Sequence, residues 1–366
     1  MAAAAAPFVS FAAVYGDTPD SKHAWAVHDW NRPKPHRVTP AGKCGGAPSD
    51  AKVLFDGTRE SFERNWCDSN GGASRWKYSE EGWFYTAPDW KNGGDIYTRE
   101  KFGDCQLHIE YRHDPERLFA GKGPQMRGNS GVFLMDSYEI QVLESYHTSA
   151  EDCSVDNYAD GQAGAVYAEN PPLVNPARKP GEWQTYDIVF HQPVWEDGKL
   201  LHPGSVTVFF NGVLVQDHWE MEGLTTHCVR RPLAPHDDRL PLKLQDHGCV
   251  VQFRNIWYRP LASRWANTTH SAMSAKPDDV MALRRATAAQ LYSKIADPKA
   301  ATAGNVKALA EVASYANEGR YATDFTACLE AYRKNPGPAD EVKSVNKVLS
   351  VLVRNGVIDK SALLAE

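Results

Sequence analysis

Between residues 51 and 261, apolar and polar side chains alternate with a period of two, in runs too short for ordinary helices. The clearest run covers residues 102–112. Gln106, His108, Glu110 and Arg112 share one face of it, and Leu107, Ile109 and Tyr111 share the other. Extended backbone turns successive side chains to opposite sides, so this run predicts a strand with one buried face. Residues 53–55, 82–86, 95–98, 165–167, 183–190, 204–210, 213–215, 241–248 and 250–258 read as further short strands separated by turns. Asn211-Gly212 is the strongest hairpin-turn signal among them. Such a series, with hardly a helix, predicts an all-β domain over residues 51–261: a jelly-roll sandwich of two antiparallel sheets. Curvature would make one sheet concave and turn its polar face into a groove.

The period changes after residue 261. Residues 262–276 are small and polar and read as a linker. Pro277 then suits a first helical turn, with Asp278 and Asp279 at the positive end of the dipole. Val280, Leu283, Thr287, Leu291 and Ile295 recur at helical spacing. Three more such stretches follow around residues 306–313, 321–332 and 342–352, with a short one at 358–364. Residues 277–366 therefore form a small α-helical module, expected to pack or to dock a protein partner. Residues 1–50 are rich in Pro, Gly and Ala, show no period and carry Trp25 and Trp30. They read as an irregular arm or leader. Its first residues, 1–14, resemble a weak or trimmed signal peptide, so a periplasmic or secreted location is the expectation.

The candidate chemistry is concentrated in residues 128–145, which read as two strands joined by a tight turn. In the second strand Glu139 and Gln141 are two apart and face one way, while Ile140 and Val142 face the other. Glu144 is out of phase and joins that face only through a bulge between Gln141 and Glu144. Paired carboxylates on a rigid sheet suit sugar chemistry, where one group gives a proton and another takes one. A solvated polar strand face would show the same pattern. Other polar-faced strands supply His108 with Glu110, and Lys243 with Gln245. His247 follows Asp246 near a strand end, and Arg127 and Asn129 adjoin the central pair. Glu139, Glu144 and His247 are the candidates for proton transfer. His108, Glu110, Arg127, Asn129, Gln141, Lys243 and Gln245 are the candidates for binding. Each also has a plainer use as a salt-bridge partner, a turn cap or a surface residue.

Composition changes this picture little. The chain has 366 residues, a formal charge of −6 and no basic block, which argues against a nucleic-acid partner. No stretch beyond the leader approaches the length of an apolar membrane span. Eleven Trp, 15 Tyr and 13 Phe serve a core, and some can stack on sugar rings. Seven Cys show no CxxC pair or zinc spacing, and a disulfide such as Cys44 with Cys67 is left open. With no HxH or HExxH run, a metal would have to be held across strands.

Ordered motifs say more. They include Leu54-Phe55-Asp56-Gly57, Phe102-Gly103-Asp104, Arg127-Gly128-Asn129-Ser130-Gly131-Val132, Tyr138-Glu139-Ile140-Gln141-Val142-Leu143, Gly181-Glu182-Trp183-Gln184 and Leu244-Gln245-Asp246-His247-Gly248. Through them the region 53–261 resembles the 3-keto-disaccharide hydrolase family of bacteria. The resemblance implies a concanavalin A-like jelly roll and a sugar bearing a ketone at C3. That ketone acidifies the C2 hydrogen, so a base can remove it, the C1 aglycone is expelled, and water adds back to the enone. Such chemistry needs a base, a stabiliser of the enolate oxygen and an acid near the leaving group. A divalent metal could serve as the stabiliser. Relatives usually have Asp where this chain has Glu144, and the loop 146–158 with Cys153 is atypical. Neutral Gln141 departs from the Glu-x-Asp-x-x-Glu run of jelly-roll glycosidases, which argues against ordinary double displacement. The alternative expectation is a non-catalytic carbohydrate-binding jelly roll with a partner-docking helical module.

Overall fold

The computed structural model describes residues 16–86, 93–118, 123–149, 156–262 and 277–365. The expected leader 1–14, Cys153 and all of the expected linker but Ala262 lie outside these residues. The chain forms two compact units, one of residues 37–262 and one that joins residues 1–36 to residues 263–366.

The first unit is a sandwich of antiparallel sheets, as the alternation predicts. Seven strands of one sheet lie in the order Val213–Glu220, Ser205–Phe210, Gln184–His191, Cys105–His113, Val251–Pro260, Trp83–Tyr85 and Lys77–Ser79, and Lys52–Phe55 also pairs with Val251–Pro260. The other main sheet runs Trp66–Cys67, Ile96–Phe102, Leu240–Leu244, Ser130–Leu134 and Tyr138–Val142. The core comprises the inward-facing rows of both: Leu107, Ile109 and Tyr111 from one, Val132, Ile140 and Leu244 from the other.

Three local features place the side chains. Ser130–Leu134 and Tyr138–Val142 are joined by a turn in which Met135 and Asp136 both have positive φ (51° and 52°), as a tight hairpin of this hand requires. This turn fixes the register that sets Glu139 opposite Phe133. At residues 103–104 the chain passes from one sheet to the other. Gly103 permits that because a Cβ there would lie 2.8 Å from the carbonyl oxygen of Asp238. Asp104 secures the crossing by accepting hydrogen bonds from Gln192 N (3.0 Å) and His191 Nδ1 (2.8 Å). The unforeseen helix Arg59–Asn65 starts at Thr58, whose hydroxyl accepts from Ser61 N at 3.1 Å. Residues 165–167, expected as a strand, contribute only isolated bridges through Val166. Cys44 and Cys67 are both free thiols.

The second unit contains the helices Pro277–Tyr292, Ala303–Tyr315, Gly319–Lys334 and Ala339–Arg354, close to their sequence expectation. Val306, Leu309, Phe325, Val345 and Leu349 fill its core. The segment expected as one arm over residues 1–50 is divided. Its residues up to His36 belong with the helices: Tyr315 donates its hydroxyl proton to Asp29, Asn31 Nδ2 donates to Glu311 Oε1 at 2.7 Å, and Trp25 packs edge-on against Tyr315. Residues from Arg37 onward belong with the sandwich, where the Gly45 carbonyl accepts from Asn255 Nδ2 (2.8 Å) and Trp257 Nε1 (2.9 Å). No helix among the described residues is long and apolar enough to cross a membrane.

Candidate active site

Register across the five-stranded sheet builds the site row by row. Lys243 lies opposite Phe133, and Phe133 lies opposite Glu139. The next row inward is Leu244, Val132 and Ile140, which face the core. The row after that returns to the outer face: Gln245 N donates to Gly131 O at 3.0 Å, and Gly131 lies opposite Gln141. Glu139, Gln141 and Gln245 thus share a polar face, and Gly131 leaves a gap among them. The Glu139 carboxyl occupies that gap, since a Cβ on Gly131 would lie 2.3 Å from Glu139 Oε1.

These residues line a cavity of about 240 Å³ together with Asn129, Phe133, Tyr167 and His247. Thr225, Thr226 and His227 complete its wall. Glu139 is 3 % exposed. Burial pushes its carboxyl up to about 8, against the opposing charge of Lys243 and with help from Asp95. Lys243 does not quench it, because its ammonium pairs with Asp136 at 2.8 Å and lies over the Phe133 ring. His247 is shifted the other way: burial lowers it below the ordinary imidazole range, so its ring is neutral at pH 7. Asp246 shapes the loop that presents it, accepting from Gly94 N (3.0 Å) and Gly248 N (2.9 Å).

The amides are organised from behind by Gln125. Its backbone carbonyl accepts from Asn129 Nδ2 at 2.7 Å, and its side-chain oxygen accepts from Gln141 Nε2 at 3.4 Å. Asn129 is 4 % exposed, and its Oδ1 has no hydrogen-bond donor among the described residues. A buried acceptor left open at a cavity wall is costly unless a ligand or water fills it.

The structure separates the remaining candidates from this cavity. No bulge brings Glu144 back into phase: the strand ends at Val142, and Glu144 lies in the loop beyond it. There it is 2 % exposed and bound to Arg127, whose Nε donates at 2.8 Å and whose terminal nitrogen donates as well. Glu144 N donates in turn to Arg127 O at 3.0 Å, so the pair ties the hairpin's two outer ends together.

His108 and Glu110 do not converge with Glu139. The crossing at residues 103–104 puts them in the opposite sheet, on the face turned away from the core. Their bonds are made there: His108 Nδ1 to Asp187 (2.7 Å), and Glu110 to Arg254 Nε (2.6 Å) and Asn255 Nδ2 (2.7 Å). Burial opposes the charge on His108, but the bonds to Asp187 and Glu110 outweigh it and raise the imidazole to about 9. Burial likewise opposes the charge on Glu110, yet its three partners hold the carboxyl at about 2. The His108 contribution to stability is complete below pH 6.5 and is lost as pH rises through about 9. The urea midpoint should therefore fall between pH 6.5 and 9, and His108→Asn should make that fall shallower.

Among the described residues, no group of three or more His, Cys, Asp or Glu side chains is placed to hold a metal ion. Tyr167, Phe133, Thr225, Thr226 and His227 are site residues that sequence reasoning missed. Phe133 had a usable signal, its phase on the strand paired with Glu139. Thr225 to His227 sit in a loop with no period to read.

Comparison with known proteins bears on the family of the chain. The 3-keto-alpha-glucoside-1,2-lyase-like domain matches residues 50–259. A candidate glycosyl hydrolase from Parabacteroides distasonis ATCC 8503 is 38 % identical, with 64 % of this chain and 95 % of its own covered and a TM-score of 0.56. Another from the same organism is 19 % identical, with 62 % and 100 % covered and a TM-score of 0.42. No curated protein matches significantly. The domain match and the first neighbour support a glycoside-active enzyme. Since the match takes in more than half of the sequence, this chain belongs to the 3-keto-alpha-glucoside-1,2-lyase-like family.

Proposed function

We propose that the chain cleaves 3-keto-glycosides by elimination and hydration at the Glu139 cavity. The observation that carries this reading is one small cavity with two titratable groups shifted in opposite directions. Glu139 is protonated at neutral pH and His247 is neutral. Opposed shifts of this kind assign acid and base. His247 removes the C2 proton made acidic by the C3 ketone. As the C1–O bond breaks, the Glu139 carboxyl gives its proton to the departing oxygen. The negative charge on the enolate oxygen is met by Gln245 and by Tyr167, whose phenol is kept protonated by burial. Asn129 Oδ1 accepts a sugar hydroxyl, and Gln141 faces the same ring. The enone then takes up water at C1: the Glu139 carboxylate receives the water's proton, and the His247 imidazolium returns a proton to C2. Both groups end as they began, and the sum is hydrolysis.

The test is turnover of a 3-keto-glucoside beside its unoxidised parent, with divalent metal present and with chelator. The expected result is product from the keto sugar alone, slowed by deuterium at C2. Absence of product from every keto sugar under all these conditions overturns the reading in favour of a binding module.

A further inference from the structure

A second cavity, of about 210 Å³, adjoins the first and shares Tyr167 and Thr226 with it. One hairpin serves both. Its paired strands are Gly223–Leu224 and Arg231–Pro232, and the loop between them brings His227 to the first cavity and Val229 and Arg230 to the second. Glu169 anchors this hairpin from behind, accepting from Gly223 N (2.8 Å), Glu222 N (3.1 Å) and Trp219 Nε1 (3.2 Å). The wall thus carries two carboxylates, Glu169 held by these three neutral donors and Glu222, and two guanidiniums, Arg230 and Arg231. Neither guanidinium has a hydrogen-bond or ion-pair partner among the described residues, and both are exposed. Leu224, Val229 and Pro232 supply the apolar part of the wall, and Val229 is 63 % exposed.

Size gives the two cavities their division of labour. The first falls below the ~300–1,000 Å³ usual for small-molecule sites, which fits one sugar ring and leaves no room for what is attached to it. We propose that the second cavity binds the aglycone of the 3-keto-glycoside, and that the preferred aglycone is an apolar ring bearing a carboxylate. The ring packs on Leu224, Val229 and Pro232. The carboxylate is taken by the guanidiniums of Arg230 and Arg231, whose forked donors match its two oxygens. This inference rests on the elimination reading of the first cavity and adds the substrate class to it.

The experiment uses the 3-keto-glucosides of 4-hydroxybenzoate and of 4-hydroxybenzamide, which differ in charge and hardly in shape. Binding is measured calorimetrically on Glu139→Gln, and turnover on the unaltered chain. The carboxylate should bind about ten-fold more tightly than the amide, and the preference should shrink in high salt. Adding Arg230→Gln and Arg231→Gln should bring the ratio to about one. A ratio near one before those changes, or a ratio they leave standing, overturns the inference, while turnover of both compounds leaves the elimination reading intact. If neither compound binds and neither is turned over, both readings fall together.

Discussion

Replacing Glu139 with Gln should lower kcat on a 3-keto-glucoside by about a thousandfold while KM changes little. The amide fills the same space over Gly131 but cannot supply the proton that the leaving oxygen needs. A second variant reaches the same group by another route. Gly131→Ala puts a methyl 2.3 Å from Glu139 Oε1, so the carboxyl is driven from its gap. Gly131 lies outside the left-handed region that only glycine adopts freely, so the backbone accepts alanine and the loss appears in kcat. Stability distinguishes Glu139→Gln from a merely damaged protein. With its carboxyl raised to about 8, Glu139 favours the folded state fully below pH 4.5 and loses that contribution as pH rises through about 8. The Gln variant should therefore match the parent near pH 5 and exceed it in urea midpoint at pH 9. A variant that is inactive yet sturdier at high pH is what a buried functional acid predicts. Unchanged turnover would remove Glu139 from the chemistry.

Arg127→Met should unfold the sandwich more easily by about 3–5 kcal/mol, the usual result of leaving one member of a buried ion pair alone. Glu144 would keep its charge with 2 % of its surface exposed, and the outer ends of the hairpin that carries Glu139 would lose their tie. Urea denaturation at pH 7 measures the loss. Arg127→Met with Glu144→Leu should recover most of it, because no charge is then stranded. Neither residue lines the cavity, so the double variant should retain turnover where it is folded. A selective loss of kcat at full stability would return Glu144 to the chemistry.

The contrast between Glu139 and Glu144 shows how much of the site was legible in the sequence. A period of two is a local rule, and it put Glu139 and Gln141 on one face correctly. It offered no support for Glu144, and the bulge invoked to align it is absent. The same rule sorted His108 and Glu110 from Leu107 and Ile109. It could not say which sheet they entered, since that depends on a crossing at Gly103 and Asp104 whose neighbours lie about 90 to 135 residues further along. The four C-terminal helices were read close to their ends because their period and backbone hydrogen bonds are local. The loop that supplies Thr225 to His227 left no pattern, because its place is set by Glu169 and by the hydrogen bond from Glu139 N to Thr225 Oγ1.

The union of residues 16–36 with the helices also has a consequence for how the protein is made. Asp29 and Tyr315, which share a hydrogen bond, are 286 positions apart. The ribosome therefore delivers Trp25, Asp29 and Asn31 long before the helix that receives them. In the interval the whole sandwich emerges and can fold, since domains generally fold as units in order of synthesis. The early segment must wait, its apolar ring uncovered, until the last quarter of the chain arrives. A fragment shortened at residue 275 would prolong that wait indefinitely and leave Trp25 without its Tyr315 contact. One cut to residues 37–262 would remove the waiting segment as well, and is the form in which the sandwich should remain soluble alone.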